Sequence, residues 1–288
     1  MKETINIVKH SGEIEEFDLN KLKNSLRRSA VDERLILKIA AEVESNLREG
    51  MTTKQVYKMA YKMLKGTSRV SASKYKLKNA LMQLGPSGFP FENLVGKLLS
   101  YEGYFTEVGV TVQGHCVQHE VDVIAQKDKN HFMIECKYHS DQGRFCDVKV
   151  PLYIQSRFID VKTEWKKQPD QQLKQYKGWV YTNTRFTSDA INYGTCAGLG
   201  LTSWDYPPGN GLRERIDRSG LHPITAITSL TKNEKTQLLD KGVVICNELL
   251  ENPLLLEQVG IGQGRVQNIL EDLEELCKPV KLLYNEKR

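Results

Sequence analysis

Two apolar segments of the chain are interrupted by charges in a pattern that could do chemistry. The first is His119-Glu120-Val121-Asp122-Val123-Ile124-Ala125; the second is Phe132-Met133-Ile134-Glu135-Cys136-Lys137-Tyr138. Charges are costly in apolar surroundings unless paired or bound to a metal. Side chains alternate across a strand, which puts Glu135 and Lys137 on one face and Ile134 and Cys136 on the other. The polar turn Asp128-Lys129-Asn130 between the segments can bring Asp122 alongside Glu135. Two converging carboxylates make a hard oxygen site suited to Mg²⁺ or Mn²⁺. A neighbouring lysine can orient or deprotonate a water, and the metal can polarise a phosphate. These are the parts needed to hydrolyse a phosphodiester. For Glu135-Cys136-Lys137 alone, a structural ion pair is the competing reading, because the tripeptide is common by chance. The combination with Asp122 and with Glu92 in a preceding helix is more specific. His119, His139 and Gln155 lie near these elements and receive no role.

These residues must be held by a sheet. Phe91–Tyr101 reads as a helix with Phe91, Leu94, Val95, Leu98 and Leu99 inward. Residues 104–113, 117–126 and 131–138 read as strands, 149–165 as a helix, 178–181 as a strand, 188–197 as a helix and 199–204 as a strand. That is a mixed α/β sheet domain. Over about residues 86–206 the chain resembles the PD-(D/E)XK nucleases, and among them the Mrr-type restriction endonucleases. The resemblance rests on the Phe91-Glu92-Asn93-Leu94-Val95 helix, Glu102-Gly103-Tyr104, the Asp122 and Glu135-Cys136-Lys137 strands, Tyr181-Thr182-Asn183 and the Leu199–Asp205 strand. It implies metal binding by Asp122 and Glu135, assistance from Glu92 and water activation by Lys137. Mrr-type enzymes often carry Gln where this chain has Glu135.

The N-terminal third has its own organisation. Strands at 5–9 and 14–17 flank the turn His10-Ser11-Gly12-Glu13, and about four helices follow, the first capped by Asp18 and the last running from about Ser71 to Leu84. Residues 1–85 hold 17 Lys+Arg against 10 Asp+Glu, a surplus of +7 within a net charge of +5, so the remainder carries about −2. Such a surplus fits a phosphate-bearing partner or a solvated basic surface. Lys54, Lys58, Lys62 and Lys65 recur on one helix face, either as a solvated face or as a contact to a DNA backbone. Residues 3–84 resemble an ATP-cone, the small allosteric nucleotide-binding domain of ribonucleotide reductases and their repressor. The resemblance covers Ile7 to Leu22, Thr53 before Val56, and Tyr75-Lys76-Leu77. Lys9 is kept, His10 stands where family members usually have arginine, and Asp18 replaces a frequent asparagine. The resemblance implies ATP or dATP as an allosteric ligand, with Lys9, His10, Lys21 and the supporting Glu15 at its site. No Gly-x-x-x-x-Gly-Lys-Ser/Thr loop is present, so the nucleotide is expected as an effector rather than as fuel.

Breaks at Gly85–Pro90 and Pro207–Gly211 separate these parts. In the tail, Thr231-Lys232-Asn233-Glu234 matches a capping box opening a helix to about Leu250, and Pro253 suits a first helical position. Leu254 to Arg265, with Gly260, Gly262 and Gly264, resembles a helix-hairpin-helix; a plain packing or dimerisation element fits equally. The expected fold is α/β and multi-domain: a hairpin-plus-helices ATP-cone over 1–84, a restriction-endonuclease-like mixed sheet with flanking helices over 85–222, and a small helical tail over 223–288.

The six cysteines form no Cys-x-x-Cys pair, which argues against a zinc ribbon and for free thiols in a cytoplasmic protein. A polar Met1–Lys9 and the lack of an apolar run near 18 residues give no expectation of a membrane. The leading expectation is a metal-dependent DNA endonuclease regulated by ATP or dATP, working as a homodimer or larger homo-oligomer because one such site cuts one strand. The alternative is a non-catalytic, nucleotide-responsive DNA-binding regulator. Intact Asp122, Glu135 and Lys137 favour the first.

Overall fold

A computed structural model describes residues 5–9, 11–167 and 174–279. The chain opens with strands β1 (Asn6–Val8) and β2 (Ile14–Glu16), antiparallel across a turn with Gly12 at φ +86°. Helix α1 (Leu19–Arg28) starts as expected at Asp18, whose carboxylate accepts from the N–H groups of Asn20 and Lys21. Helix α2 (Glu33–Asn46) leads to a two-residue strand β3 (Met51–Thr52) parallel to β1, an element too short for any periodicity to announce. Helix α3 (Thr53–Thr67) begins with a capping box between Thr52 and Gln55. The single helix expected over 71–84 is instead α4 (Arg69–Tyr75) and α5 (Leu77–Leu81), broken at Lys76. The break separates two allegiances: Ala72 and Tyr75 of α4 pack into the N-terminal core, while Leu77 and Leu81 of α5 pack into the core of the following sheet.

Helix α6 (Phe89–Tyr101) carries Phe91, Leu94, Val95, Leu98 and Leu99 as expected, all fully buried. Truncating one such leucine to alanine costs about 2–5 kcal/mol. Strands β4 (Phe105–Gln113), β5 (Gln118–Lys127) and β6 (Asn130–Lys137) form an antiparallel meander. Asp128, at φ +54°, makes the tight β5–β6 turn. Then come β7 (Phe145–Cys146), α7 (Lys149–Trp165), β8 (Gln175–Thr182), β9 (Arg185–Phe186), α8 (Ser188–Cys196) and β10 (Gly200–Thr202). The five-stranded sheet has the order β10-β8-β6-β5-β4, with β6, β8 and β10 parallel; β7 and β9 pair separately. Parallel pairing requires crossovers, supplied here by α7 and α8. Helix α6 covers one face and α7 the other: Val123, Ala125, Ile134 and Cys136 join the α6 core, and Val121, Ile124 and Met133 join the α7 core.

Helix α9 (Leu212–Ser219), which the sequence reading passed over, is pinned to the sheet by the buried Arg215. Its guanidinium donates to the Tyr181 hydroxyl at 2.6 Å and to Glu102 at 3.1 Å. Helix α10 (Lys232–Asp240) opens with the expected Thr231–Glu234 capping box but stops before Gly242 (φ +81°) rather than at Leu250. Helices α11 (Asn247–Glu251), α12 (Leu254–Gln258) and α13 (Gln263–Leu276) complete the chain, and Pro253 caps α12 from outside instead of occupying its first turn. The tail is no appendage. Val244 and Ile245 belong to the same core as Phe91 and Ile134, and Val70 of α4 belongs to the tail's core. Among the described residues no helix is long and apolar enough to cross a membrane.

Candidate functional site

Asp122 and Glu135 flank the point where β5 and β6 part, within electrostatic reach of each other, with Glu92 and Lys137 nearby. The β5–β6 ladder ends at Val123↔Ile134. Beyond it the Cys136 N–H turns to the Asp122 carboxylate, at 2.6 Å, instead of to a β5 carbonyl. On the other side of β5, Gly109 sits opposite Asp122 with φ +66°, a conformation that suits glycine, and the β4–β5 register is interrupted between Val108↔Val123 and Val110↔Val121. The alternation of β5 changes hand there, since Val121 faces the α7 core and Val123 the α6 core. Asp122 is therefore presented in an opening of the sheet and fixed by one oxygen, while the other has no hydrogen-bond partner among the described residues.

Glu135 and Lys137 lie on the next strand, two residues apart. Glu135 is mostly buried and paired with Arg157 of α7 at 2.7 Å, the two side chains being 17% and 13% exposed. The same guanidinium donates to the Glu120 carbonyl and rests on the Tyr153 ring. Arg157 was missed in the sequence. The available signal was its place in α7 beside the buried stripe Ile154, Phe158 and Val161. Lys137 is exposed, and its charge lowers the proton affinity of both Asp122 and Glu135. Glu92 enters from the first turn of α6.

Burial, and for Glu92 and Glu135 the charge of Asp122, disfavours the ionised carboxylates. Burial, then the charges of Asp122, Glu120 and Glu135, push Glu92 up to about 7. Burial raises Asp122 against the pull of the Cys136 N–H, Arg157 and Lys137. Burial and the charge of Asp122 raise Glu135 against Arg157 and Lys137. Elevation of this kind marks a place where negative charge has been gathered at a cost, and it concentrates at functional sites. Among the described residues no three carboxylate, imidazole or thiol groups form a ready-made metal cage.

Of the neighbouring polar residues given no role, His119 and the backbone of His139 have local partners. His119 pairs with Asp160 at 2.8 Å, and Asp160 also accepts from the Cys116 and Val117 N–H groups, fastening the β4–β5 turn to α7. Both the backbone N–H and carbonyl of His139 are held by Asn183, at 2.9 and 2.7 Å. The Gln155 amide oxygen is buried without a hydrogen-bond partner among the described residues.

In the N-terminal domain, three of the four candidate nucleotide residues come together. Glu15 accepts from Lys9 at 2.8 Å and from Lys21 at 3.4 Å, and the two ammonium groups hold its carboxyl below the usual range. His10 lies outside the described residues. A cleft of about 510 Å³ opens on the β3 side of the small sheet, lined by Arg48, Glu49, Gln55 and their neighbours; none of Lys9, Glu15 and Lys21 reaches it. Lys54, Lys58, Lys62 and Lys65 are all exposed on α3.

Comparison with known proteins fits this division. Residues 5–81 match the ATP cone domain, and residues 222–277 match the domain described as AF1548-like, C-terminal. The chain thus carries an N-terminal ATP-cone, a domain type that binds nucleotides such as ATP or dATP allosterically. An uncharacterized protein of Archaeoglobus fulgidus is 31% identical over 183 residues, which span 63% of this chain and 99% of that protein. The crystal structure of AF1548, a protein of unknown function, superposes with a TM-score of 0.54 at 29% identity, over 66% of this chain and 98% of that one. With that relative matched almost end to end, the chain belongs to the AF1548-like family, here joined to an ATP-cone.

Proposed function

We propose that this protein is a divalent-metal-dependent DNA endonuclease of the PD-(D/E)XK type, regulated by ATP or dATP bound to its ATP-cone. The observation that supports the proposal is the parted β5–β6 ladder, flanked by Asp122 and Glu135, with Lys137 and Glu92 within electrostatic reach. The donor set fits Mg²⁺ or Mn²⁺: the oxygens are hard, the carboxylates repel one another, and each of Asp122 and Glu135 keeps one oxygen free of its protein partner. Mg²⁺ characteristically takes only one or two carboxylates and fills its remaining positions with water and substrate phosphate, so a three-residue cage is not required. Bound there, the ion would polarise the phosphoryl oxygen and acidify a water.

The chain's own residues supply the rest. The Cys136 N–H fixes the Asp122 carboxylate so that it need not reorganise. The exposed ammonium of Lys137 orients the attacking water and the phosphate. Glu92, poised near neutrality, exchanges a proton with that water. The exposed lysines of α3 offer contacts to the DNA backbone. Cutting both strands takes two such sites, so a homodimer or larger assembly follows from this reading.

One observation favours a second reading. Arg157 already neutralises Glu135 from within, as a domain that binds DNA without cutting it could retain. The full chain incubated with supercoiled plasmid and Mg²⁺ or Mn²⁺, with no nucleotide, ATP or dATP, separates the two. Metal-dependent nicking lost in Asp122→Ala and Glu135→Ala supports the nuclease. DNA binding without nicking in all conditions supports the regulator. Light scattering in the same three nucleotide conditions reports the assembly.

A further inference from the structure

The last helix of the ATP-cone bears directly on the strands of the candidate site. Helix α5 ends at Leu81, the last residue matched by the ATP-cone, and its next residue, Met82, reaches the end of the catalytic strand. The Tyr138 hydroxyl donates to the Met82 carbonyl at 2.8 Å. The Asn183 amide, fully buried, donates to the Met82 sulfur at 3.2 Å while clasping the backbone of His139 on both sides. One turn earlier on α5, Asn79 accepts from Gln142. Tyr138 directly follows Lys137, and Lys137 pairs with Thr182, the neighbour of Asn183. Residues 79–82 therefore hold both strands that present Lys137.

The other end of this contact leads back to the nucleotide domain. Helix α5 is separated from α4 only at Lys76, and Tyr75 of α4 stacks on Tyr57 of α3 at 5.0 Å. Helix α4 packs into the ATP-cone core and, through Val70 and the Ser73–Thr228 hydrogen bonds, against the tail, whereas α5 packs into the sheet core; Lys76 is where the chain passes from one core to the next. Packed cores shift between discrete arrangements rather than deforming smoothly. A change in the ATP-cone that moves α4 acts on Met82 through Lys76 as well as on the contacts of α4 with the tail.

We infer that Tyr138 and Asn183 are positioning residues through which the ATP-cone sets where Lys137 stands. The inference rests on the nuclease reading only for what Lys137 does; the mechanical coupling stands apart from it. Tyr138→Phe removes one neutral hydrogen bond and keeps the ring against Phe91. One such bond corresponds to about a 2- to 12-fold change in an equilibrium.

The test is amide hydrogen exchange of residues 135–142 in the full chain, with and without millimolar ATP, alongside calorimetric ATP binding and plasmid cleavage. In the wild type, ATP changes the exchange of this segment. In Tyr138→Phe that difference shrinks by about 2- to 12-fold, and by reciprocity ATP affinity moves by no more than the same factor. A purely structural bond would loosen the segment equally with and without ATP, leaving the difference intact. Gln142→Ala, which frees Asn79, carries the test if Tyr138→Phe does not fold. The inference is overturned if the wild type fails to bind ATP, if it binds ATP with no change in this segment, or if both variants keep the full ATP-dependent difference. Coupling in a protein that never cleaves DNA would instead defeat the nuclease reading and leave the latch standing.

Discussion

Replacing Asp122 by asparagine should make the metal-free protein more stable and the metal-loaded protein less so. The shape is conserved, and the amide oxygen can still accept from the Cys136 N–H now held at 2.6 Å. What disappears is a negative charge that burial and Glu120 already disfavour and that in turn raises Glu92 and Glu135. Relieving charge strain at such sites commonly yields about 0.5–2 kcal/mol. Taking about 1 kcal/mol, the melting temperature of Asp122→Asn in EDTA should rise by roughly 2–4 °C. Adding Mg²⁺ or Mn²⁺ at about 100 times its dissociation constant stabilises the wild type by about 2.7 kcal/mol, which reverses the order. Asp122→Asn should gain little from the metal. Differential scanning calorimetry of both proteins at pH 8, in EDTA and in divalent metal, reads all four values. A variant that is less stable in EDTA, or that gains as much from metal as the wild type, refutes the argument that Asp122 is a ligand held at a cost.

Three further outcomes follow from the same geometry. Lys137→Ala should cut turnover by about 10²–10⁴ with little change in DNA affinity, read by single-turnover cleavage beside a filter-binding titration. Arg157→Ala leaves Glu135 buried without its cation, so thermal unfolding should show a loss of about 3 kcal/mol in EDTA, much of it restored by divalent metal. Glu92 is pushed up to about 7, above its ordinary 4.5, so the folded state binds its proton more tightly; this group's contribution to stability falls as pH rises from about 4.5 through 7. Because Glu92 is only part-buried, the screened cost at pH 8 is about 1 kcal/mol; Glu92→Gln should equal the wild type only below about pH 4.5 and exceed it at pH 8 in urea unfolding.

The strands that carry the candidate residues were legible because strand alternation is local. Apolar positions on either side of Asp122 and Glu135 announce both strands, and the charges stand out against them. Arg157 was not legible, since a surface arginine and one that reaches back over a sheet read alike within an amphipathic helix. Tyr138 and Asn183 looked like the ends of strands because their partner, Met82, is far away in sequence. The β3, β7 and β9 pairings span two residues each, too few for a period of two to show. The break at Gly85–Pro90 invited a domain boundary, yet Leu81 and Leu84 before it share one core with Phe91 and Leu94 after it. Turn chemistry marks where the chain bends, not where packing stops. In the tail, the expected helix to Leu250 ignored Gly242, where a left-handed φ of +81° is available at little cost.

Cleavage of a supercoiled plasmid under single-turnover conditions by wild type and Asp122→Asn, purified side by side, with Mg²⁺ and ATP, dATP or neither, bears most directly on whether this protein is a nuclease. The account predicts nicking by the wild type that EDTA abolishes, at a rate that differs among the three nucleotide conditions, and at least a 10²-fold loss in Asp122→Asn despite its intact fold. Nicking of equal rate by the two proteins, or none by a wild type shown by calorimetry to bind both metal and nucleotide, would contradict it.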